Sequence, residues 1–247
     1  MMAVLEWGTL VVCCTVLLLR VPDAVKGRNR TVFGILLLAT LCSVLAVSGP
    51  YEAIDGVLGG WNLTHLILRY LVFATVLLAG LRITRGLAAT RGYRLIAGRT
   101  GRWALGISCV AVAALFLLMD TRGSSAGLEA LSGSGGRNAV LAPFYAAAGR
   151  SYPAFVSLVL MAPLLSAVRS QLPRLVRAAA LVTLLGALAV VVSIPASFAP
   201  PDWALGQHVV NYSAVLGYVL GLALFWFSGL IASKSGNANA TLGKNSD

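Results

Sequence analysis

Long apolar runs alternate with short polar or basic segments along the whole chain. Several windows of 17 or more residues carry no charged side chain, which is typical of helices that cross a hydrocarbon core of ~30 Å. The apolar residues are continuous, and backbone groups in lipid must be satisfied within their own segment, so the runs predict helices instead of barrel strands. The seven predicted spans are residues 3–20, 32–48, 64–81, 103–119, 152–168, 178–196 and 208–232.

The fifth span can be assigned in two ways. Residues 139–168 would form a helix of ~45 Å at ~1.5 Å per residue, which exceeds the membrane core. Arg150 and Pro153 interrupt the run, so we favour an interfacial segment at 139–149 followed by a span at 152–168. The alternative is one long tilted helix.

Composition excludes an ordinary soluble domain. The chain is 58% hydrophobic and 11% charged, with a mean hydropathy of +0.86. The sequence therefore predicts an all-α, polytopic membrane protein with a seven-helix transmembrane domain over residues 1–232. The polar, low-complexity segment 233–247 is predicted to be a disordered tail.

The basic residues indicate the orientation. Four alternate segments carry 4, 6, 3 and 2 of them, or 15 of the 19, whereas the loops 50–63, 120–138 and 198–207 carry 0, 2 and 0. The positive-inside rule then places the N-terminus outside and the C-terminus in the cytoplasm. A composition high in Ala, Leu, Gly and Arg but low in Lys suggests a bacterial inner membrane. The first run lacks a preceding basic region, so we expect it to be a helix and not a cleaved signal peptide.

The net charge of +11 suggests two classes of partner. Because the basic residues lie between apolar runs, we expect no nucleic acid but contact with anionic lipids of the bilayer. The longest basic segment should form an interfacial helix. Its predicted lipid contacts are Arg85, Arg91, Arg94 and Arg99.

Polar side chains concentrate around the start of the third predicted span. Arg69 lies about six residues into it, and an arginine at a helix centre costs on the order of 2.5–3.5 kcal/mol, so we expect it to face a partner or a cavity. Glu6 should lie at the same depth in the first span and could pair with it. The functional interpretation is an outward-facing ligand pocket, and the alternative is a structural ion pair or an arginine that extends to the interface. The predicted ligand-binding residues are Glu6, Glu52, Asp55, His65 and Arg69.

No catalytic or cofactor motif accompanies this cluster. The four cysteines lie inside apolar runs without CxxC spacing, and two histidines, His65 and His208, are too few for a defined metal or haem site. Phosphate-binding loops and HExxH are absent from the sequence. We therefore expect no enzyme activity, no cofactor and no metal. Gly217 and Gly221 form a GxxxG pair, which we expect to pack within the molecule.

The run YEAIDGVLGGWNLTHLILRY, with six loop arginines after it, resembles actinobacterial seven-helix integral membrane proteins that are classed as transporters without an established function. The resemblance rests on Asp55, Gly60, Asn62, Leu63 and His65 and supports the topology without supplying a substrate. We expect a protein that binds or transports a small molecule. The alternative is a non-catalytic accessory or scaffolding subunit, with a membrane protein partner or a second copy of the chain beside it.

Overall fold

A computed structural model describes residues 2–27, 30–119, 136–199 and 203–243, and over these ranges the chain is helical without a strand. The predicted loop 120–138 lies mostly outside the described residues. The helices are α1 Met2–Val25, α2 Arg30–Leu45, α3 Ser48–Val57, α4 Leu63–Gly86, α5 Thr90–Ala97, α6 Arg99–Leu118, α7 Gly136–Arg169, α8 Arg174–Ala196 and α9 Ala204–Gly243.

Six of these helices, namely α1, α4, α6, α7, α8 and α9, are long and apolar enough to cross a membrane. A seventh crossing exists only if α2 and α3 together make one span, and their axes meet at 89°. Many large apolar side chains point away from the core; Leu117, for example, is 82% exposed. Such surfaces suit lipid better than water. The chain is therefore a multi-pass membrane protein, as its hydrophobic pattern predicts.

Three segments differ from the sequence prediction. Residues 136–169 form one continuous helix of 34 residues, about 50 Å long, so the alternative of a long helix is the one observed. Arg150 is accommodated within it, and its side chain has polar partners in Ser197, just after α8, and in Asn211 of α9. The predicted loop 50–63 contains most of α3, which begins at Ser48, and α9 continues to Gly243, into the segment predicted to be a disordered tail. Residues 244–247 lie outside the described part.

The bundle has two ends, which we name after Asp55 and Arg82. The N-termini of α1, α4, α7 and α9 lie at the Asp55 end, and these helices run parallel to one another. α8 runs the other way between α7 and α9. α4 packs against α2, α6 and α7, whereas α1 packs mainly against α2 and α9. The buried core follows α7, from Tyr145 to Leu164.

α8 and α9 approach each other at backbone distance. An added Cβ on Gly217 would lie 2.5 Å from the Cα of Gly186, and one on Gly221 would meet the Thr183 side chain. Small residues permit this approach in membrane helices. The predicted GxxxG pair thus packs inside the molecule, and α7, α8 and α9 form one closely packed layer.

Candidate polar site between α4 and α7

Polar side chains build the corner that begins α4. The Asp55 carboxylate accepts hydrogen bonds from the backbone N–H groups of Asn62 at 3.0 Å and Thr64 at 3.2 Å. The Tyr51 hydroxyl donates to Asn62 Oδ1 at 2.7 Å, and Asn62 has a left-handed backbone with φ of 55°. The first backbone N–H groups of a helix have no partner within the helix, and the Asp55 carboxylate accepts hydrogen bonds from two such groups. Asp55 therefore positions α4 and is fully buried in doing so.

α4 and α7 pack side by side in a parallel register. His65 lies against the ring of Tyr145, with 5.6 Å between ring centroids, and Phe73 lies against Tyr152 at 5.7 Å. Between these two aromatic contacts, Arg69 faces Gly149. Because His65, Arg69 and Phe73 are spaced at four-residue intervals, they share one face of α4. That face points at α7.

Arg69 lies flat on the backbone of α7. A Cβ added to Gly149 would be 2.7 Å from both Cδ and Nε of Arg69, so a residue larger than glycine would displace this side chain from its observed position. The guanidinium carbon lies 5.8 Å from the centroid of the Tyr145 ring, within cation–π range. The Tyr145 hydroxyl also lies close to the guanidinium, but neither it nor Arg69 Nε makes a hydrogen bond of standard geometry with any residue that the structure describes.

Several buried polar atoms in this region have no hydrogen-bond partner among the described residues. They include His65 Nε2, Arg69 Nε and the hydroxyl oxygens of Tyr145 and Tyr152. In folded proteins such atoms are few, and each unsatisfied one costs about 1–3 kcal/mol. All four belong to α4 and α7. Their concentration on one helix interface distinguishes this site from the rest of the described structure.

A second arginine adds positive charge to the site. Arg150 follows Gly149 and is within electrostatic range of Arg69. Its guanidinium donates to Ser197 Oγ, just after α8, and to Asn211 Oδ1 of α9, the latter at 3.4 Å. Neither arginine forms an ion pair with a carboxylate in the described residues, where Arg20–Asp23 is the salt bridge present. We call His65, Arg69, Tyr145 and Arg150 the polar cluster.

The structure brings together two of the five predicted ligand-binding residues. His65 and Arg69 face α7, and Asp55 lies at the corner between α3 and α4, beside the first residues of α4. Glu52 points outward from α3 and is exposed. Glu6 lies on α1 within electrostatic range of Tyr212 of α9, and a Glu6–Arg69 pair is not formed, since α1 and α4 are not principal neighbours.

Sequence reasoning missed Tyr145 and Gly149 and treated Arg150 only as an interruption of an apolar run. A signal for Arg150 was available, because it and Arg69 are the two basic residues that lie outside both the basic segments and the loops. No comparable signal marks Gly149 among 26 glycines. Its role depends on facing Arg69.

The four predicted lipid contacts lie near the Arg82 end. Arg85 ends α4, Arg91 and Arg94 lie on α5, and Arg99 begins α6; all four are exposed. On α5, Gly92 and Ile96 are buried, whereas Arg91 and Arg94 are exposed. The short helix therefore has one basic side and one apolar side. This arrangement is compatible with an interfacial helix. Contact with anionic lipid stays a prediction.

Within the described ranges, no group of three His, Cys, Asp or Glu side chains could hold a metal ion. No protein-family model matches the sequence, and neither the curated proteins nor the solved structures contain a significant match. The resemblance to actinobacterial seven-helix proteins is therefore still a prediction.

Proposed function

We propose that this chain binds or transports a small molecule, and that the molecule carries a negative charge and occupies the polar cluster. The observation that carries the proposal is the pair of arginines, Arg69 and Arg150, held inside the bundle without a carboxylate partner in the described structure. An intramembrane arginine is usually paired or faces a water-filled cavity. An anionic ligand would supply the missing counter-charge.

The unsatisfied donors favour the same ligand class. Arg69 offers guanidinium N–H groups, and Tyr145 offers a hydroxyl next to them. Carboxylate and phosphate oxygens accept such hydrogen bonds, and a charged pair is about twice as strong as a neutral one. His65 can accept or donate at Nε2. The cluster therefore suits a small molecule with an acidic group better than a neutral or cationic one.

The membrane orientation sets the side from which the ligand comes. We place the Arg82 end in the cytoplasm of a bacterium, because Arg82 belongs to the longest of the four basic segments that the positive-inside rule assigns to that side. Arg69 then lies about 9 Å below the outer end of α4, at ~1.5 Å per residue. The polar cluster would be reached from outside.

The test uses the purified full chain in detergent and in lipid nanodiscs. Acetate, benzoate, glutamate, sulfate and phosphate are screened by thermal unfolding, each against a neutral analogue such as the corresponding amide. A ligand at 100 times its Kd stabilises a protein by about 2.7 kcal/mol, so an anion that binds the cluster should raise the unfolding temperature. Proteoliposome uptake of that anion separates transport from binding.

Two variants locate the binding site. Arg69→Gln removes the charge, and Tyr145→Phe removes one hydroxyl with little change of shape; both should abolish or weaken stabilisation by the anion. Arg137→Gln is the matched control, because Arg137 is exposed near the start of the same helix α7. Stabilisation by no anion, or equal stabilisation of the Arg69→Gln variant, would refute the proposal and favour the accessory-subunit alternative.

A further inference from the structure

A separate cavity of about 1130 Å³ lies at the Arg82 end of the bundle. The last turns of α1, α4 and α7 surround it, together with the start of α8 and the middle of α9 from Leu222 to Gly229. Its wall contains two arginines and one acid, Arg20, Arg82 and Asp23, beside apolar side chains such as Ile83 and Phe225. None of these residues belongs to the polar cluster, so a ligand in this cavity would be independent of the proposed function.

Arg20 is held rigidly in the cavity wall. Its side chain is 3% exposed, its guanidinium carbon lies 4.6 Å from the centroid of the Trp226 ring, and Nη1 lies 3.4 Å from Asp23 Oδ2. Trp226 Nε1 donates to the same carboxylate oxygen at 2.9 Å. Trp226 and Asp23 thus fix the plane of the guanidinium. Arg20 Nε is nevertheless buried without a hydrogen-bond partner among the described residues.

The cavity wall carries more positive than negative charge, with two arginines and one aspartate. Asp23 is the carboxylate of the lining, and its Oδ2 is already shared between Arg20 and Trp226. Arg82 is half-buried, acts electrostatically on Arg20 and forms no ion pair in the described chain. The N-terminus of α8, near Leu172 and Val176, adds its positive dipole end to the same wall. An anion is the ligand that this wall would stabilise.

We infer that this cavity binds a phosphate group on a small amphiphilic molecule, with Arg20 and Arg82 as its cationic partners. Guanidinium groups bind phosphate oxygens through directed, often bidentate, hydrogen bonds. The volume exceeds that of a single inorganic ion and is in the range of pockets for larger ligands. The apolar side chains in the wall suit a molecule with a hydrocarbon part. Such a phosphate can come from an anionic lipid headgroup or from a soluble phosphorylated compound.

The experiment measures both sources with the full chain. In one arm, the purified protein is placed in phosphatidylcholine nanodiscs with and without 10% phosphatidylglycerol, and retained phosphatidylglycerol is counted by native mass spectrometry. In the other arm, glycerol 3-phosphate is added to the protein in detergent and thermal unfolding is followed. Preferential retention of phosphatidylglycerol indicates a lipid ligand, and stabilisation by glycerol 3-phosphate alone indicates a soluble one.

Variants test the assignment of Arg20 and Arg82. Arg82→Gln should reduce phosphate binding at least fivefold, Arg82→Lys should retain part of it, and Arg20→Gln should act like Arg82→Gln if it folds. Arg102→Gln is the control, because Arg102 is an exposed arginine near the start of α6 that neither lines the cavity nor belongs to the four predicted lipid contacts, and its replacement should change binding less than twofold. The inference fails if the wild type prefers neither probe, or if Arg82→Gln changes binding no more than Arg102→Gln.

Discussion

The close backbone contact between α8 and α9 gives the sharpest stability prediction. A methyl group added at Gly217 would lie 2.5 Å from Gly186 Cα, 2.8 Å from Gly186 N and 3.1 Å from Val182 O. All three atoms belong to backbone, so no side-chain rotation can relieve the overlap. Carbon atoms in contact normally lie about 3.5–4.0 Å apart, so α8 and α9 would have to separate by roughly 1 Å.

Two opposing effects determine the size of the change. Overpacking of a close-packed site costs about 1–3 kcal/mol, whereas replacing glycine by alanine inside a helix gains about 1 kcal/mol in propensity. Gly217→Ala should therefore lower the free energy of unfolding by up to about 2 kcal/mol. Gly217→Val adds more volume and has a poorer helix propensity, so its loss should be larger. Gly206→Ala, at a position on α9 with open space, should be neutral or stabilising.

The assay is reversible unfolding in mixed micelles with increasing sodium dodecyl sulfate, followed by the fluorescence of the five tryptophans. The order of transition midpoints should be Gly206→Ala at or above wild type, then Gly217→Ala, then Gly217→Val. Equal midpoints for wild type and Gly217→Val would show that the two helices do not approach at this point, and the packing argument would be wrong.

Two further changes probe the site. Asp55→Asn keeps the shape but replaces one acceptor oxygen with a donor, which opposes the N–H groups of Asn62 and Thr64; a loss of about 1–3 kcal/mol in unfolding free energy is expected in the same assay. Gly149→Ala should displace Arg69, since its Cβ would lie 2.7 Å from Arg69 Nε, and should weaken the binding of any anion that stabilises the wild type.

Each of these changes has a matched control. Glu52→Gln removes an exposed acid from the same helix as Asp55 and should leave stability unchanged. Gly106→Ala adds a methyl group inside α6 where nothing lies within 4 Å, and it should leave anion binding unchanged. Anion binding that survives Gly149→Ala intact, or an Asp55→Asn variant as stable as Glu52→Gln, would contradict the respective argument.

The hydrophobic pattern predicted the all-helical class and the long apolar helices because a span depends only on local composition and length. It also identified Arg69, because depth along a helix can be counted from the sequence. Depth does not determine which helix is the neighbour. Glu6 matched Arg69 in depth, yet α1 packs against α2 and α9, and Arg69 instead meets Gly149 of α7.

The cavity at the Arg82 end was not predicted for a related reason. Arg20 and Arg82 count among the basic residues that establish the orientation, and this role explains their presence without any ligand. Only the packing of α1 against α9, which brings Trp226 over Arg20, shows that one of them is buried. Sequence spacing carries no information on that contact, because 203 positions separate Asp23 from Trp226.

The right-angle corner between α2 and α3 has a consequence for the surrounding lipid. α2 has 16 residues and rises about 24 Å, some 6 Å less than a hydrocarbon core of ~30 Å. α7, in the same bundle, is about twice that length. If α2 and α3 make the seventh crossing, a bilayer has to thin locally beside the short helix, at a cost of a fraction of a kcal/mol per Å of hydrophobic mismatch. In that case the energy of the α2–α3 corner depends on acyl chain length, and membrane thickness acts on the segment that holds Asp55.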